Sequence, residues 1–410
     1  MFDVKQIRKD FPMLNNKGIN GHPLVYFDNA ATTFKPQVVI DAVVNYYTNL
    51  SVNANRGDYE LSYQVSKEYE DARKTVGKLL NCDSKSIVFT SGASMSLNLV
   101  AYGYGQKFLN QNDVILSTEA EHASNILPWF KVSEKTKAII EYIPLDEDGK
   151  ITIDNFKKAM HERVKVVCFA NITNVMGFVA PMDEMIKIAH EYGAIVVVDG
   201  AQSVPHMPID VIKSDIDFLA FSGHKMMGPT GVGVLYGKYE LLEKMDPFMM
   251  GGGSNARFDI CGNILLKHPP YKFEAGTPAI EAVLGFKAAI EYLMQYSMQD
   301  IFDYEHNLRQ YLLAEMKKMD NIIIYNEHAS TGIITFNVKD IFAQDVACYL
   351  STQGVCVRSG NHCAKILMNV LKTSETLRAS IAFYNTKEEV DLFIEALKKV
   401  NIENCINTIL

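Results

Sequence analysis

Residues 218–237 read Phe-Leu-Ala-Phe-Ser-Gly-His-Lys-Met-Met-Gly-Pro-Thr-Gly-Val-Gly-Val-Leu-Tyr-Gly. The apolar run 218–221 has the length and content of a buried strand. It breaks at Ser222-Gly223-His224-Lys225, and a Gly/Pro-rich turn leads to a second apolar run, 232–236. A lysine at the end of a buried strand, between glycines, is badly placed for a solvated charge. Desolvation there lowers its pKa and favours the neutral amine, which is the chemistry of a Schiff-base lysine. Taken alone, Lys225 is read more simply as an ordinary loop residue. Gly228-Pro229-Thr230-Gly231 is glycine-rich, but it lacks the G-x-x-x-x-G-K-[ST] spacing of a phosphate-binding P-loop.

Outward from this stretch the chain alternates. Strands are expected at 86–90, 113–117, 138–143, 165–170 and 194–198, with helices at 66–80 and 182–192 among them. Near-continuous β-branched strands alternating with helices imply an α/β fold with a large, mostly parallel sheet covered on both faces. Ligands of such sheets sit off the carboxyl ends of the strands. Ser94, His122, Asp199 and Lys225 each follow a strand. After about residue 285 the character changes to two long helical patterns, strands near 322–325 and 332–338, and a closing helix at 387–400. This reads as a smaller α+β C-terminal domain, 286–410. Residues 21–285 form the large domain, and 1–20 form an N-terminal arm.

Composition limits the function classes. The 410 residues carry a formal net charge of −8, with 48% hydrophobic and 21% charged residues, as in a soluble globular protein. No basic patch marks a nucleic-acid surface. No apolar run approaches the roughly 18 residues of a membrane span. The start, Met1-Phe2-Asp3-Val4-Lys5, has no signal-like apolar region, so a cytoplasmic location is expected. The seven cysteines are scattered with no C-x-x-C, so neither a disulfide framework nor a metal site is expected. Cys168 and Cys348 lie in apolar runs and read as small core residues.

Several residues invite chemistry, and each has a plainer alternative. Asp199 ends a fully buried strand, where a carboxylate needs a positive partner; it reads as a helix N-cap or as counter-ion to a cofactor's ring nitrogen. Ser91-Gly92-Ala93-Ser94 joins strand to helix and suits a phosphate or is a capped turn. His122 is a core histidine or a proton carrier. In Arg358-Ser359-Gly360-Asn361-His362-Cys363 an Arg and a His flank a Cys, which favours the thiolate unless the loop is incidental. Arg378, opening an expected strand, suits a substrate carboxylate or a salt bridge.

In this order the motifs resemble class V, fold-type I pyridoxal-phosphate enzymes, and more narrowly SUF-type (group II) cysteine desulfurases. The resemblance runs from about residue 5 to 400. It rests on Tyr26-Phe27-Asp28-Asn29-Ala30-Ala31-Thr32-Thr33, Thr118-Glu119-Ala120-Glu121-His122 with Asn125, Thr173-Asn174-Val175-Met176-Gly177, Asp199-Gly200-Ala201-Gln202-Ser203-Val204-Pro205-His206 and Ser222-Gly223-His224-Lys225. It rests equally on Phe273-Glu274-Ala275-Gly276-Thr277-Pro278, Arg358-Ser359-Gly360-Asn361-His362-Cys363-Ala364 and 378–386.

The resemblance implies that Lys225 holds pyridoxal 5'-phosphate and moves the Cα proton. Asp199 would pair with the pyridine nitrogen, Gln202 with the ring oxygen, and His122 would stack on the ring. Ser222, His224, Ser94 and the helix start at Ala93 would bind the phosphate. Thr277 would reach the phosphate of a neighbouring subunit, implying a homodimer. Arg378 with Asn174, together with Arg358 and Arg56, would bind the substrate. Cys363 would take sulfur from L-cysteine as a persulfide, leaving L-alanine, with delivery to a sulfur acceptor of the SUF pathway for iron–sulfur cluster assembly. The rivals are another class V activity (aminotransferase, selenocysteine lyase or cysteine-sulfinate lyase) and a non-catalytic cofactor-binding scaffold. Departures from the family's usual pattern fall at Ser91-Gly92-Ala93-Ser94 for Arg-Gly-Thr-Thr, at Asn55 and Tyr59 for histidines, at Gln344 for another, and at Ser254-Asn255-Ala256 for Glu-Met-Ile.

Overall fold

The computed structural model describes residues 3–15, 18, 20–54 and 57–409. Its centre is a seven-stranded sheet. From one edge the order is Ile87–Thr90, Gly233–Gly237, Phe218–Ser222, Ile195–Asp199, Val164–Ala170, Val114–Ser117 and Ile139–Tyr142. Gly233–Gly237 runs antiparallel to both neighbours; the other pairs are parallel. Four of the strands are buried at every position, as expected of a sheet packed on both faces. The period of two is visible in the packing. Val196, Val198, Leu219 and Phe221 enter one core, while Val197, Phe218 and Ala220 enter the core across the sheet. Each fully buried Val or Phe side chain contributes roughly 1.5–3 kcal/mol of transfer free energy.

A second, four-stranded antiparallel sheet has the order Ile322–Ile324, Ile333–Val338, Thr376–Ser380, Arg358–Gly360. It carries its own core, covered by the helices Met298–Met316, Ala343–Thr352 and Lys387–Lys398. Arg378 lies in the middle of Thr376–Ser380 rather than at the start of a strand, because Leu377 pairs with Phe336 and Thr376 with Gly360, extending that strand before it. Val25–Tyr26 pairs with Val355–Cys356, and Val25 and Phe27 are buried in this second core. The segment 25–27 therefore sits against the C-terminal sheet, while Ile7 and Phe11 before it belong to the core of the large one.

The N-terminal segment packs nearby. Phe11 meets the rings of Tyr292, Phe383 and Tyr384, and Arg8 pairs with Glu389 at 2.9 Å. The helix expected at 66–80 spans Glu60–Leu80. Elements without a sequence expectation include the helices Gln37–Asn45 and Ala123–Thr136, the hairpin Asn255–Phe258 with Ile264–Leu266 and the final helix Ile402–Ile409. Cys348 is exposed on the helix Ala343–Thr352 rather than in the core, since the apolar residues of that helix face inward at Val346, Tyr349 and Leu350. Cys168 is buried. Among the described residues no helix is long and apolar enough to cross a membrane.

Candidate active site

The carboxyl ends of the sheet open into a cavity of about 260 Å³. Asp199 closes the strand Ile195–Asp199. Lys225 ends the single turn Gly223–Lys225 after the adjacent parallel strand Phe218–Ser222. Both line the cavity, as do His122, Gln202, Ser222 and His224. Ala93 and Ser94, at the start of the helix Ala93–Val100, line it too. From the other side come Asn174, Arg358, Arg378 and Cys363. Residues spread over 285 positions thus share one wall system.

Two sequence candidates lie elsewhere. Thr277 is exposed and outside the cavity, where its hydroxyl accepts from Asn53 Nδ2 at 3.3 Å. Arg56 lies outside the described residues, as does Asn55.

Local chemistry fixes each group. Asp199 is 6% exposed and its Oδ1 accepts the Ala201 amide at 2.9 Å. No helix begins there, so it is no helix cap. Burial raises its pKa, against which Ala201 and Lys225 act. Burial pushes the Lys225 amine down to about 8, the Asp199 carboxylate resisting and Arg378 assisting. His122 caps the helix Ala123–Thr136, its Nδ1 accepting the Ser124 amide at 3.1 Å. Burial, then Lys225 and Arg378, hold its pKa near 4, so the ring is neutral. His224 is likewise held near 4 by burial and then by Lys225 and Lys35. Ser222 Oγ accepts the Ala93 amide at 2.8 Å, which leaves the hydroxyl proton to donate. Gln202 Nε2 donates to the carbonyl of Ala30 at 2.8 Å.

The thiol loop is built differently. Gly360, His362 and Cys363 have φ of 111°, 51° and 58°. Left-handed backbone at the two non-glycine residues costs roughly 1–2 kcal/mol each. Hydrogen bonds from the rim of the large sheet hold it in place. The Ala123 amide donates to the Cys363 carbonyl at 2.7 Å, and Asn174 Nδ2 donates to the His362 carbonyl at 2.8 Å. Cys363 itself is exposed.

His362 does not supply the cation expected of it beside the thiol. Its ring is buried, Nε2 lies 2.9 Å from Thr376 Oγ1, and burial with Arg378 lowers its pKa to about 3. The charges that feel Cys363 are Lys225, Arg378 and Arg358. Arg378 is 2% exposed; its Nη1 donates to the Asn174 carbonyl at 2.9 Å and its Nε has no partner among the described residues.

Several groups carry no role in the sequence reading. Lys35 Nζ and the Thr33 amide both donate to the carbonyl of His224, at 3.1 and 3.0 Å, tying down the residue before Lys225. Glu121, buried, accepts from Thr118 Oγ1 and Asn125 Nδ2 beneath the site, and burial lifts its pKa to about 7. Asp28 joins Arg358 and Arg378. Asp28 and Glu121 stand in quoted motifs and Lys35 just beyond one, but no spacing rule marks Asp28 or Lys35, whose partners lie far along the chain.

The chain is 43% identical over 400 residues to a probable cysteine desulfurase of Halalkalibacterium halodurans, covering 97% of this chain and 98% of the relative. It superposes on the crystal structure of the cysteine desulfurase CsdA (S-sulfonic acid) from Escherichia coli with a TM-score of 0.91 and 35% identity, covering 97% of this chain and 98% of that one. The apo structure of a cysteine desulfurase from Thermococcus onnurineus NA1 gives 0.91 and 37%, with 96% and 97% covered. The family model described as aminotransferase class-V matches residues 25–393, and the chain belongs to that family.

Proposed function

We propose that this chain is a pyridoxal-phosphate-dependent cysteine desulfurase, which removes sulfur from L-cysteine, leaves L-alanine and keeps the sulfur on Cys363. The observation that carries the reading is the meeting of Lys225, Asp199, His122 and Cys363 on one cavity. An aminotransferase has no use for an exposed thiol there.

The residues fit the cofactor. Asp199 is a buried carboxylate in no salt bridge among the described residues, so a protonated ring nitrogen would supply the missing cation. The amine of Lys225 is half neutral near pH 8 and can attack an aldehyde. At the phosphate end the Ser222 hydroxyl, His224, Ser94 and the helix start at Ala93 converge. Gly233 opposes that helix start, and a Cβ there would fall 2.4 Å from the Gly92 Cα, so the backbone approach depends on glycine. When bound, the cofactor supplies an electron sink that makes the substrate Cα proton labile.

This chain's own groups do the rest. Arg378, with Asn174, receives the substrate carboxylate. Lys225 takes the proton from Cα and returns one to carbon. His122, neutral and with Nδ1 engaged, has Nε2 to pass a proton. Cys363, as thiolate, attacks the substrate sulfur. The S–S bond forms as the substrate C–S bond breaks, and the electron pair of that bond leaves with carbon, which is protonated to give alanine. The product on the protein is a persulfide.

A homodimer fits the exposed, outlying position of Thr277 and the exposed apolar side chains Val38, Val44, Tyr47 and Tyr63. A SUF-type sulfur acceptor and a cytoplasmic setting belong to the same reading.

The test is to incubate the holoenzyme with L-cysteine and a reductant and to measure alanine and sulfide together. Equal amounts are expected from the parent, and Cys363→Ala should fall to background sulfide. Sulfide released by Cys363→Ala at the parent rate would sink the persulfide step.

A further inference from the structure

The turn that presents Lys225 is held from two directions. Within its own hairpin, the Gly223 amide donates to the Val232 carbonyl and the Gly228 amide to the Gly223 carbonyl, each at 2.9 Å. Among the described residues, the hydrogen bonds that reach the backbone of 223–228 from elsewhere in the chain all come from 32–35. The Met227 amide donates to Thr33 Oγ1 at 2.8 Å. The His224 carbonyl accepts the Thr33 amide at 3.0 Å and Lys35 Nζ at 3.1 Å, with the hydroxyls of Thr32 and Thr33 at 3.1 and 3.2 Å. Lys35 Nζ also donates to the Thr33 carbonyl and to Thr32 Oγ1.

The other end of this segment is fixed to the sheet of the second domain. Asn29 Nδ2 donates to the Ser380 carbonyl at 2.8 Å and the Ala30 amide donates to Ser380 Oγ at 2.9 Å, two residues along the strand from Arg378. The Phe34 amide donates to the Tyr384 hydroxyl at 3.0 Å, and the Phe34 ring stacks on those of Tyr26 and Tyr384. Residues 29–35 are thus a strap from the strand of Arg378 to the turn of Lys225.

Lys35 is the costly member of the strap. It is half-buried, and its three partners are neutral oxygens. Burial lowers its pKa to about 8, so at pH 7 it remains an ammonium with three donors. A desolvated cation without an anion weakens the fold. What it contributes is geometry, since one atom ties the loop 32–35 to a turn with which it shares no strand.

We propose that Lys35 is a positioning residue for the proton transfer at Lys225, keeping that amine in register with the strand of Arg378 through the His224 carbonyl. The inference rests on the reading of Lys225 as the base at Cα. Arg378 meets the carboxylate of a bound amino acid and Lys225 its Cα. A shift of about 1 Å between the two frames is enough to cost up to about a hundredfold in rate.

The experiment uses holoenzyme at pH 7 and follows exchange of the Cα proton of L-alanine with deuterated solvent, a step that draws on Lys225 and not on Cys363. Lys35→Met keeps the volume and removes the ammonium. Exchange should slow about tenfold at an unchanged half-saturating L-alanine concentration, because Arg378 and Asn174 are untouched. The melting temperature should stay within about 3 °C of the parent, since a desolvated charge is lost while the Thr33 amide remains on His224. Tyr384→Phe loosens the strap at its other end and should slow exchange about threefold. The double variant should lose less than the product of the two, because both act through one strap. A readout without turnover is recombination of stripped Lys35→Met protein with pyridoxal 5'-phosphate, which should also slow about tenfold. Exchange and recombination at the parent rates would overturn the proposal. So would a melting temperature that falls by more than about 3 °C together with a rise in the half-saturating concentration, which would make Lys35 a structural residue. Absence of exchange in the parent would overturn the reading of Lys225 itself, and the proposal with it.

Discussion

The cradle around Lys225 and the loop around Cys363 line the same cavity but are made by opposite means. Lys225, Asp199 and Ser222 stand at the ends of adjacent buried strands, in ordinary backbone conformations, and burial shifts the pKa of both the amine and the carboxylate. Cys363 is exposed, on a loop in which Gly360, His362 and Cys363 are left-handed, and it is held through main-chain carbonyls by Ala123 and Asn174. The contrast matches the chemistry proposed for each. A group tuned by desolvation must be surrounded on all sides, which a sheet end provides. A thiol that attacks a substrate and then parts with its sulfur needs an open approach, which a loop provides.

The difference can be tested by disabling each region alone. The largest effect is expected from Lys225→Ala. Alanine formation should fall by about 10⁴, the upper range for a lost acid–base group, and the absorbance of covalently held cofactor should vanish. Cys363→Ala should spare that absorbance while losing sulfide release. An unchanged spectrum in Lys225→Ala would break the division of labour.

A smaller effect should come from beneath the cradle. Arg73, 1% exposed, pairs with Glu274 at 2.6 Å, and Glu274 also accepts the Phe89 amide at 2.8 Å. Glu274→Ala would leave buried Arg73 with Glu70, at 3.1 Å, as its remaining ion partner and cost about 3 kcal/mol of stability. Thermal unfolding should shift down while the folded variant retains bound cofactor. An unshifted melting temperature would show that the sheet does not depend on this pair.

The gentlest test is pH. Lys225 falls from an ordinary 10.5 to about 8 in the fold. Between those values the unfolded chain binds more protons than the native one, so this site's contribution to stability rises with pH across that window and is flat below it. The neutral amine is the reactive form. Recombination of stripped protein with pyridoxal phosphate should therefore accelerate about tenfold per pH unit up to about 8 and then level. A plateau near 10.5 would mean that burial does not tune the amine.

The sequence by itself determined the sheet. Val196, Val197 and Val198 are apolar on both faces, which only a doubly covered strand allows, and Asp199 and Lys225 end neighbouring runs. These are local signals, carried by period and by strand ends, so the cradle was legible. The tertiary structure alone decided how the thiol arrives. Asn174 meets His362 across 188 positions, and Asp28 meets Arg358 across 330. No periodicity encodes such pairings, because they arise from the seating of 25–27 against the second sheet and from packing of that sheet on the rim of the first. The same packing turned His362 inward to Thr376 and left Cys348 outside, where an apolar run had pointed to the core. Local pattern reports what a segment must bury. Which partner it finds depends on the fold that brings distant segments together.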